Sequence, residues 1–218
     1  MESDIVLYGA SGHCKVIIEL ILSSDKFKIN SIIDDNENTK NVFNYDVKHS
    51  KHFEFKQDLN YFISIGNNRV RKNIANRLNV NFQVLIHPYS RVSPLEVIIG
   101  KGSVVMVGAI INPFVRIGEQ CIINSGAIVE HDCKIGNFVH ICPGANLAGG
   151  VEVGEGTMIG IGAVIIQGIK IGKWAKIGAG AVIVNDIPDY AMVVGVRGKI
   201  VKYFKLYYFI IVVVYFIK

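Results

Sequence analysis

The hydrophobic positions of this chain fall into step at Ile99. Counting on by six gives Val105, Ile111, Ile117, Ile123, Val129, Ile135, Ile141, Leu147, Val153, Ile159, Ile165, Ile171, Ile177 and Ile183, fifteen positions without an insertion, every one Ile, Val or Leu. A glycine follows the aliphatic residue at Gly100, Gly118, Gly136, Gly154 and Gly172, each 18 residues after the last. Small residues recur four places on, as at Ser103, Ala109, Ala127, Ala145, Ala163, Ala175 and Ala181. Six is a multiple of a strand's two-residue alternation and not of a helix's 3.6-residue turn. Three hexads that close on themselves make a triangular coil, with a short strand on each side, an inward aliphatic side chain per strand and turns at the corners. Such coils stack about 4.8 Å apart through parallel ladders. Residues 99–186 supply nearly five of them, with an irregular opening turn expected from about Ile86.

Ahead of the coil the pattern changes. "DIVLYGASGHCKVIIELIL" (4–22) reads as a strand over Ile5–Tyr8, a glycine loop over Gly9–Gly12 and a helix opening near His13. Backbone N–H groups of such a loop, with the helix N-terminus behind them, suit a phosphate. Gly9 and Gly12 fall short of the full G-x-G-x-x-G pattern. A second strand, "NSIIDD" (30–35), ends on Asp34 and Asp35, which either accept from nucleotide hydroxyls and base N–H groups or form an ordinary turn. "YFISIGNN" (61–68) is a further strand, ending at Gly66 and followed by a basic helix. The expectation is a small Rossmann-like parallel α/β domain over residues 1–84, its ligand crevice at the strand C-termini, then a parallel β-helix over 85–202 and an apolar tail over 203–218.

Composition narrows the picture. Half of the 218 residues are hydrophobic and 22 are glycine, which favours tightly turning β structure. The net charge of +5 is mild and scattered. Its densest cluster, "RVRKNIANR" (69–77), reads as a solvated helix face at least as well as a nucleic-acid patch, and no nucleic-acid partner is expected. Cys14, Cys121, Cys133 and Cys142 show no C-x-x-C spacing, and the N-terminus has no signal-peptide pattern. Free thiols in a reducing cytoplasm are expected, with Cys121 and Cys133 as small core-fillers. The tail "LYYFIIVVVYFI" (206–217) is twelve uncharged residues, short of the roughly 20 that cross a bilayer. Packing against the protein and weak membrane-surface contact both remain open for it.

The reactive candidates lie in "IVEHDCKIGNFVHI" (128–141), where His131 stands between Glu130 and Asp132 and His140 comes nine residues later. This block, with "YGASGHCKV", "FISIGNNRVRK", the hexads and "VIVNDIPDYAMVVGVRGK", resembles the bacterial sugar acyltransferases of the NeuD and PglD kind, hexapeptide-repeat proteins, over nearly the whole chain to about Lys202. The resemblance implies a left-handed β-helix. It also implies acetyl-CoA as co-substrate and a UDP-linked 4-amino-4,6-dideoxy sugar, as in bacillosamine synthesis, as acceptor. By the same resemblance His131 is the catalytic base and Asp132, where the family usually carries glutamate, its acidic partner. Glu130 is a second acidic candidate. His140, Gly149, Ile161 and Ala179 match cofactor contacts, and Ser11, Gly12, His13, Asp34, Asp35 and Gly66 match UDP-sugar contacts. Cys14 stands where glycine is common.

Coil geometry sets a condition on that site. His131 and His140 are half an 18-residue coil apart, so one chain places them on different sides of its prism. Three prisms packed around a threefold axis, a homotrimer, would let His131 of one copy face His140 of the next. Gly149, one full coil beyond His131, would stack over it and leave space. A neutral imidazole removes the amine proton near physiological pH, a neighbouring carboxylate fixes its tautomer, and backbone N–H or His140 donates to the oxyanion. Cys133 faces inward and is no nucleophile. Three competing readings follow from the same residues. A trimeric zinc carbonic anhydrase needs a third histidine, which the regular hexads lack, so no metal is expected. Sialic-acid-type sugar O-acetylation and a non-enzymatic nucleotide-sugar-binding scaffold stay as alternatives.

Overall fold

The computed structural model describes residues 2–204. The apolar run 206–217 lies outside them. The N-terminal part comprises β1 (Ser3–Tyr8), α1 (Gly12–Leu22), β2 (Phe27–Asp34), β3 (Asn41–Val42), β4 (Tyr45–His49), β5 (Asn60–Ile63), α2 (Asn68–Arg77) and β6 (Asn81–Phe82). Their sheet order is β3-β4-β2-β1-β5-β6, parallel except for the β3–β4 pair. Ile5, Val6, Leu7 and Tyr8 are all buried, as a central parallel strand with a layer on each face requires. On one side, α1 presents Cys14, Ile17, Ile18 and Ile21, a stripe at helical spacing. On the other, Ile74 of α2 packs with Val6, Ile33 and Ile63.

From Leu85 the chain winds into a three-sided column. Strands of one face pair in the order Leu85–Ile86, Val104–Val105, Ile122–Ile123, His140–Ile141, Met158–Ile159 and Lys176–Ile177. The second face runs from Arg91–Val92 to Val182–Ile183, the third from Ile98–Ile99 to Lys170–Ile171. The aliphatic hexad positions fill the axis, and all the small residues four places on, Cys121 and Cys133 among them, are buried with them. The opening turn is irregular at one point only. Each of its three strands pairs in parallel with the coil below. Its departure from the rhythm is a single extra residue between Val92 and Ile99, absorbed at a corner where Glu96 takes φ 50°.

One corner residue per hexad, from Gly102 to Gly180, has a left-handed φ of 54–71°. Nine of these are glycine, and the others are Phe114, Gln120, Asp132, Phe138 and Trp174. A side chain in this region costs roughly 1–2 kcal/mol, so those five are held by their surroundings.

The three outer faces differ. The first carries Val104 and Ile122, covered by α1, and then His140, Met158 and Lys176; it is the docking face of the N-terminal domain. The second carries Ile110, Ile128, Asn146, Val164 and Val182, with Phe114 and Ile161 exposed at its corners; it is apolar and bare. The third carries Arg116, Lys134, Glu152 and Lys170 and is charged. Ala191–Val194 continues the docking face, and an exposed strand, Lys199–Tyr203, pairs antiparallel with it. Among the described residues no helix is long and apolar enough to cross a membrane.

The glycines spaced by 18 have a packing reason. A Cβ on Gly154 would lie 2.6 Å from the backbone nitrogen of Lys173 and 2.7 Å from the carbonyl carbon of Gly172. Nothing within 4 Å would meet a Cβ on Gly66. Gly154→Ala is therefore expected to cost about 1–3 kcal/mol through overpacking. Thermal melts should show a midpoint lowered by roughly 3–10 °C, with Gly66→Ala unchanged; equal midpoints would refute this reason for the glycine ladder.

Candidate active site

His131 stands at the corner between the apolar and charged faces, two residues after the strand Ile128–Val129. Its side chain is 61% exposed, and its Nδ1 lies 2.7 Å from Oδ2 of Asp132. Asp132 is one of the five left-handed side-chain-bearing corners, at φ 62°. That conformation folds the short carboxylate back onto the preceding imidazole, a placement aspartate tolerates better than most residues. With Nδ1–H donating to the carboxylate, the Nε2 lone pair is left free. Gly149 sits one rung away, and a Cβ there would come within 2.6 Å of the His131 ring. Only hydrogen at that position lets the ring lie flat over the next coil. Cys133 is fully buried and donates to the Ala148 carbonyl at 3.2 Å, so it takes no part in this corner's chemistry. The Glu130 backbone belongs to the ladder, its N–H donating to Leu147 at 3.0 Å.

His140 lies on the docking face, paired between Ile122 and Met158. The coil therefore keeps His131 and His140 at separate places within one chain. What His140 meets instead is His13, at the start of α1, with ring centroids 6.5 Å apart. Asn124 Oδ1 accepts from the Ser125 N–H at 2.8 Å, so its amide nitrogen is the atom facing His140 Nε2 at 3.1 Å. Nε2 is thus the acceptor, and the ring proton sits on Nδ1. In this state Nε2 has no proton to offer an oxyanion, and Asn124 is the donor beside it. Burial, then the nearby Arg71 charge, lowers the His140 pKa to about 4. Burial, then His140 and Arg71, does the same for His13, also to about 4. His13 Nε2 is buried without a hydrogen-bond partner among the described residues.

The remaining N-terminal candidates gather at the C-terminal edge of the sheet. Ser11 precedes α1 and makes no side-chain cap bond, and both it and Gly12 are exposed. A Cβ on Gly12 or Gly66 would touch nothing within 4 Å, so this rim is open. Gly9 has φ 111°, and a Cβ there would strike Ile65. The aspartates are already engaged by the chain. Asp34 accepts from the N–H of Ala10 at 2.7 Å and of Asn36 at 2.8 Å, the second closing a local turn. Asp35 accepts from Tyr8, Ser50 and Arg77, the last at 2.8 Å. Burial alone would raise its pKa, but those hydrogen bonds and the Arg77 charge carry it below the ordinary value. Ile161 and Ala179 are exposed on the corner between docking and apolar faces, one coil apart, with Gly180 N–H donating to the Ile161 carbonyl at 2.8 Å.

Two features escaped the sequence. Arg71, within the segment read as a solvated helix face, is fully buried, while Arg69 and Arg77 are exposed. A cleft of about 580 Å³ also opens between the Gly66–Arg69 loop and Gly156, Met158, Trp174, Lys176 and the segment 202–204. Arg69, Lys176 and Lys202 line it without a carboxylate, which suits an anion. The larger groove, about 820 Å³, runs along the charged face and includes neither histidine. It follows from the glycine ladder rather than from reactive groups.

The two buried imidazoles make stability depend on pH. Each gains a proton near pH 6.5 in the unfolded chain and only near 4 in the folded one, so the unfolded state binds more protons between those values. Stability therefore falls as pH drops through that window, by on the order of 2 kcal/mol per histidine at pH 5. Urea melts at pH 7 and pH 5 should show this loss, and His140→Asn should reduce it; equal stability at both pH values would contradict the buried neutral pair.

Comparison with known proteins places this arrangement. The PglD N-terminal domain family matches residues 4–78, and the bacterial transferase hexapeptide family (six repeats) matches 114–149 and 150–185. UDP-N-acetylbacillosamine N-acetyltransferase of Bacillus subtilis (strain 168) is 39% identical over 111 residues, 47% of this chain. That match spans about half, 51%, of the curated relative. The acetyltransferase domain of PglB from Neisseria gonorrhoeae FA1090, also solved with acetyl coenzyme A, is 36% identical, with TM-score 0.85 over 91% of this chain and 100% of that one. PerB from Caulobacter crescentus, solved with CoA and GDP-perosamine, is 35% identical, with TM-score 0.82 over 91% of this chain and 97% of that one. The chain belongs to the hexapeptide-repeat sugar acyltransferases with a PglD-type N-terminal domain.

Proposed function

We propose that this protein transfers an acetyl group from acetyl-CoA to the 4-amino group of a UDP-linked 4-amino-4,6-dideoxy sugar, with His131 as general base. The observation that carries the reading is the His131–Asp132 pair at 2.7 Å on an exposed corner, with the His131 ring lying beside Gly149 of the next coil. The relatives support the substrate class: one is named for a UDP-linked amino sugar and another was solved with GDP-perosamine and CoA. The open rim at Ser11, Gly12 and Gly66, with His13 and its buried Nε2 behind it, is the proposed sugar-nucleotide site, and Asp34 and Asp35 stand at its edge. His140, Gly149, Ile161 and Ala179 are the proposed acetyl-CoA contacts.

The chemistry is direct transfer. The amine nitrogen attacks the thioester carbonyl carbon while Nε2 of His131 takes the N–H proton. Asp132 steadies the imidazolium so formed. The oxyanion is held by N–H donors, Asn124 among them, until the carbon–sulfur bond breaks and the proton passes to the departing thiolate. The amide, CoA and the starting imidazole result.

A homotrimer completes the site. His131 lies on one edge of the bare apolar face, and Ile161 and Ala179 lie on the other, on the side of His140. Burying Ile110, Ile128, Val164 and Val182 against further copies would bring the His131 edge of one chain to the His140 edge of the next.

His131→Ala is expected to lower kcat by about 10²–10⁴-fold while acetyl-CoA binding persists. The assay is thiol release with acetyl-CoA across a panel of UDP- and GDP-linked 4-amino sugars and hydroxy sugars such as sialic acid. Turnover confined to hydroxy sugars would replace N- by O-acetylation. Binding of nucleotide sugars with no thiol release from any would leave a scaffold. Full activity in His131→Ala would remove the base from the mechanism.

A further inference from the structure

Arg71 has five N–H groups and the chain supplies five acceptors. Nε donates to the Gln120 carbonyl at 2.8 Å. Nη1 donates to the Ile65 and Gly66 carbonyls at 2.9 and 3.2 Å, and Nη2 to Asn68 Oδ1 and the Phe138 carbonyl at 2.8 and 3.2 Å. The side chain is fully buried and has no carboxylate partner among the described residues. Gln120 and Phe138 are left-handed corners one rung apart, so the column stacks their carbonyls for one planar fork. The other three acceptors belong to the Gly66 loop and the start of α2. A buried cation without a counter-ion costs several kcal/mol and persists only when fully hydrogen-bonded.

Resting on the acetyl-transfer reading above, we propose that Arg71 is a positioning residue for that site: an internal cation that ties the Gly66 rim of the sugar-nucleotide site to the column and stands behind the His13–His140 pair. Its hydrogen bonds cross the seam between domain and coil. Gly66, whose carbonyl it holds, also faces the His140 ring. Seen from the imidazoles, Arg71 on α2 is the charged neighbour, and no carboxylate acts on either ring. Cys121, from the coil, lies near Arg71 with its thiol pushed up to about 11 by burial, and so contributes no charge near neutral pH. Burial does most to keep the imidazoles uncharged, and the fixed cation adds to it. Lysine has three donors and no planar fork, so it can restore the charge without the seam.

The test is histidine ring NMR on the full-length protein without substrate. In the wild type both rings should stay neutral from pH 7 to 5, with the His140 proton on Nδ1. In Arg71→Met the pair's midpoints should rise by about one pH unit, and in Arg71→Lys they should stay near wild type. Kinetically, Arg71→Lys should raise KM for the nucleotide sugar more than it lowers kcat. Wild-type midpoints near the ordinary histidine value overturn the proposal even if Arg71→Met fails to fold, as do unshifted midpoints in a folded Arg71→Met. The NMR arms do not depend on turnover, so their failure with thiol release intact removes Arg71 alone. Absent thiol release with the NMR outcomes as expected removes the acetyl-transfer reading instead.

Discussion

Eighteen residues make one rung, and that equivalence places every functional group on the column. A residue and its counterpart eighteen positions on share a location displaced by one parallel-ladder spacing, about 4.8 Å. Gly149 is where it is because His131 is one rung away, and a side chain there would collide with the ring. His140 sits between Ile122 and Met158 for the same reason. The stacked carbonyls of Gln120 and Phe138 that accept from Arg71 are again a rung apart. The inward aliphatic residues and the glycine ladder enforce the register, and the site chemistry inherits it.

The register also separates two kinds of histidine. His131 is exposed at a corner with a carboxylate bonded to it, a setting in which the free ring nitrogen can take up a proton. His13 and His140 are buried at a seam beside a cation, a setting that favours the neutral ring. A proton acceptor on one edge of the apolar face and an uncharged, hydrogen-bonding pocket toward the other are complementary halves. On the acetyl-transfer reading proposed above neither half is a complete site within one chain, so the bare apolar face would bear on the chemistry as well as on assembly.

The column was legible because its signal is redundant: fifteen aliphatic positions in one phase leave little room for another structure. The inserted residue between Val92 and Ile99 let the opening coil be read only as an irregular turn from about Ile86, since a strict count by six loses phase there although the ladder continues. The His131–Asp132 contact was legible as adjacency, but its reach depends on the left-handed corner at Asp132, which only the coil dictates. Less was legible at the seam. A cluster of basic residues on a helix ordinarily faces water, and nothing local in "RVRKNIANR" marks Arg71 as buried while Arg69 and Arg77 are exposed. Its partners are backbone carbonyls 49 and 67 residues away, which no side-chain pattern encodes. Likewise, the engagement of Asp35 with Arg77 joins residues 42 positions apart through the sheet order.

The central claim is that the reacting groups come from two copies of the chain. The most direct measurement mixes two variants expected to lose activity, His131→Ala (the base) and His140→Ala (the acetyl-CoA contact), by co-assembly and assays thiol release. In a threefold assembly with sites between copies, random pairing joins an intact His131 edge to an intact His140 edge in about one quarter of the sites, so about one quarter of wild-type activity should return. A mixture no more active than either parent, with hybrid assemblies demonstrably formed, would contradict a shared site.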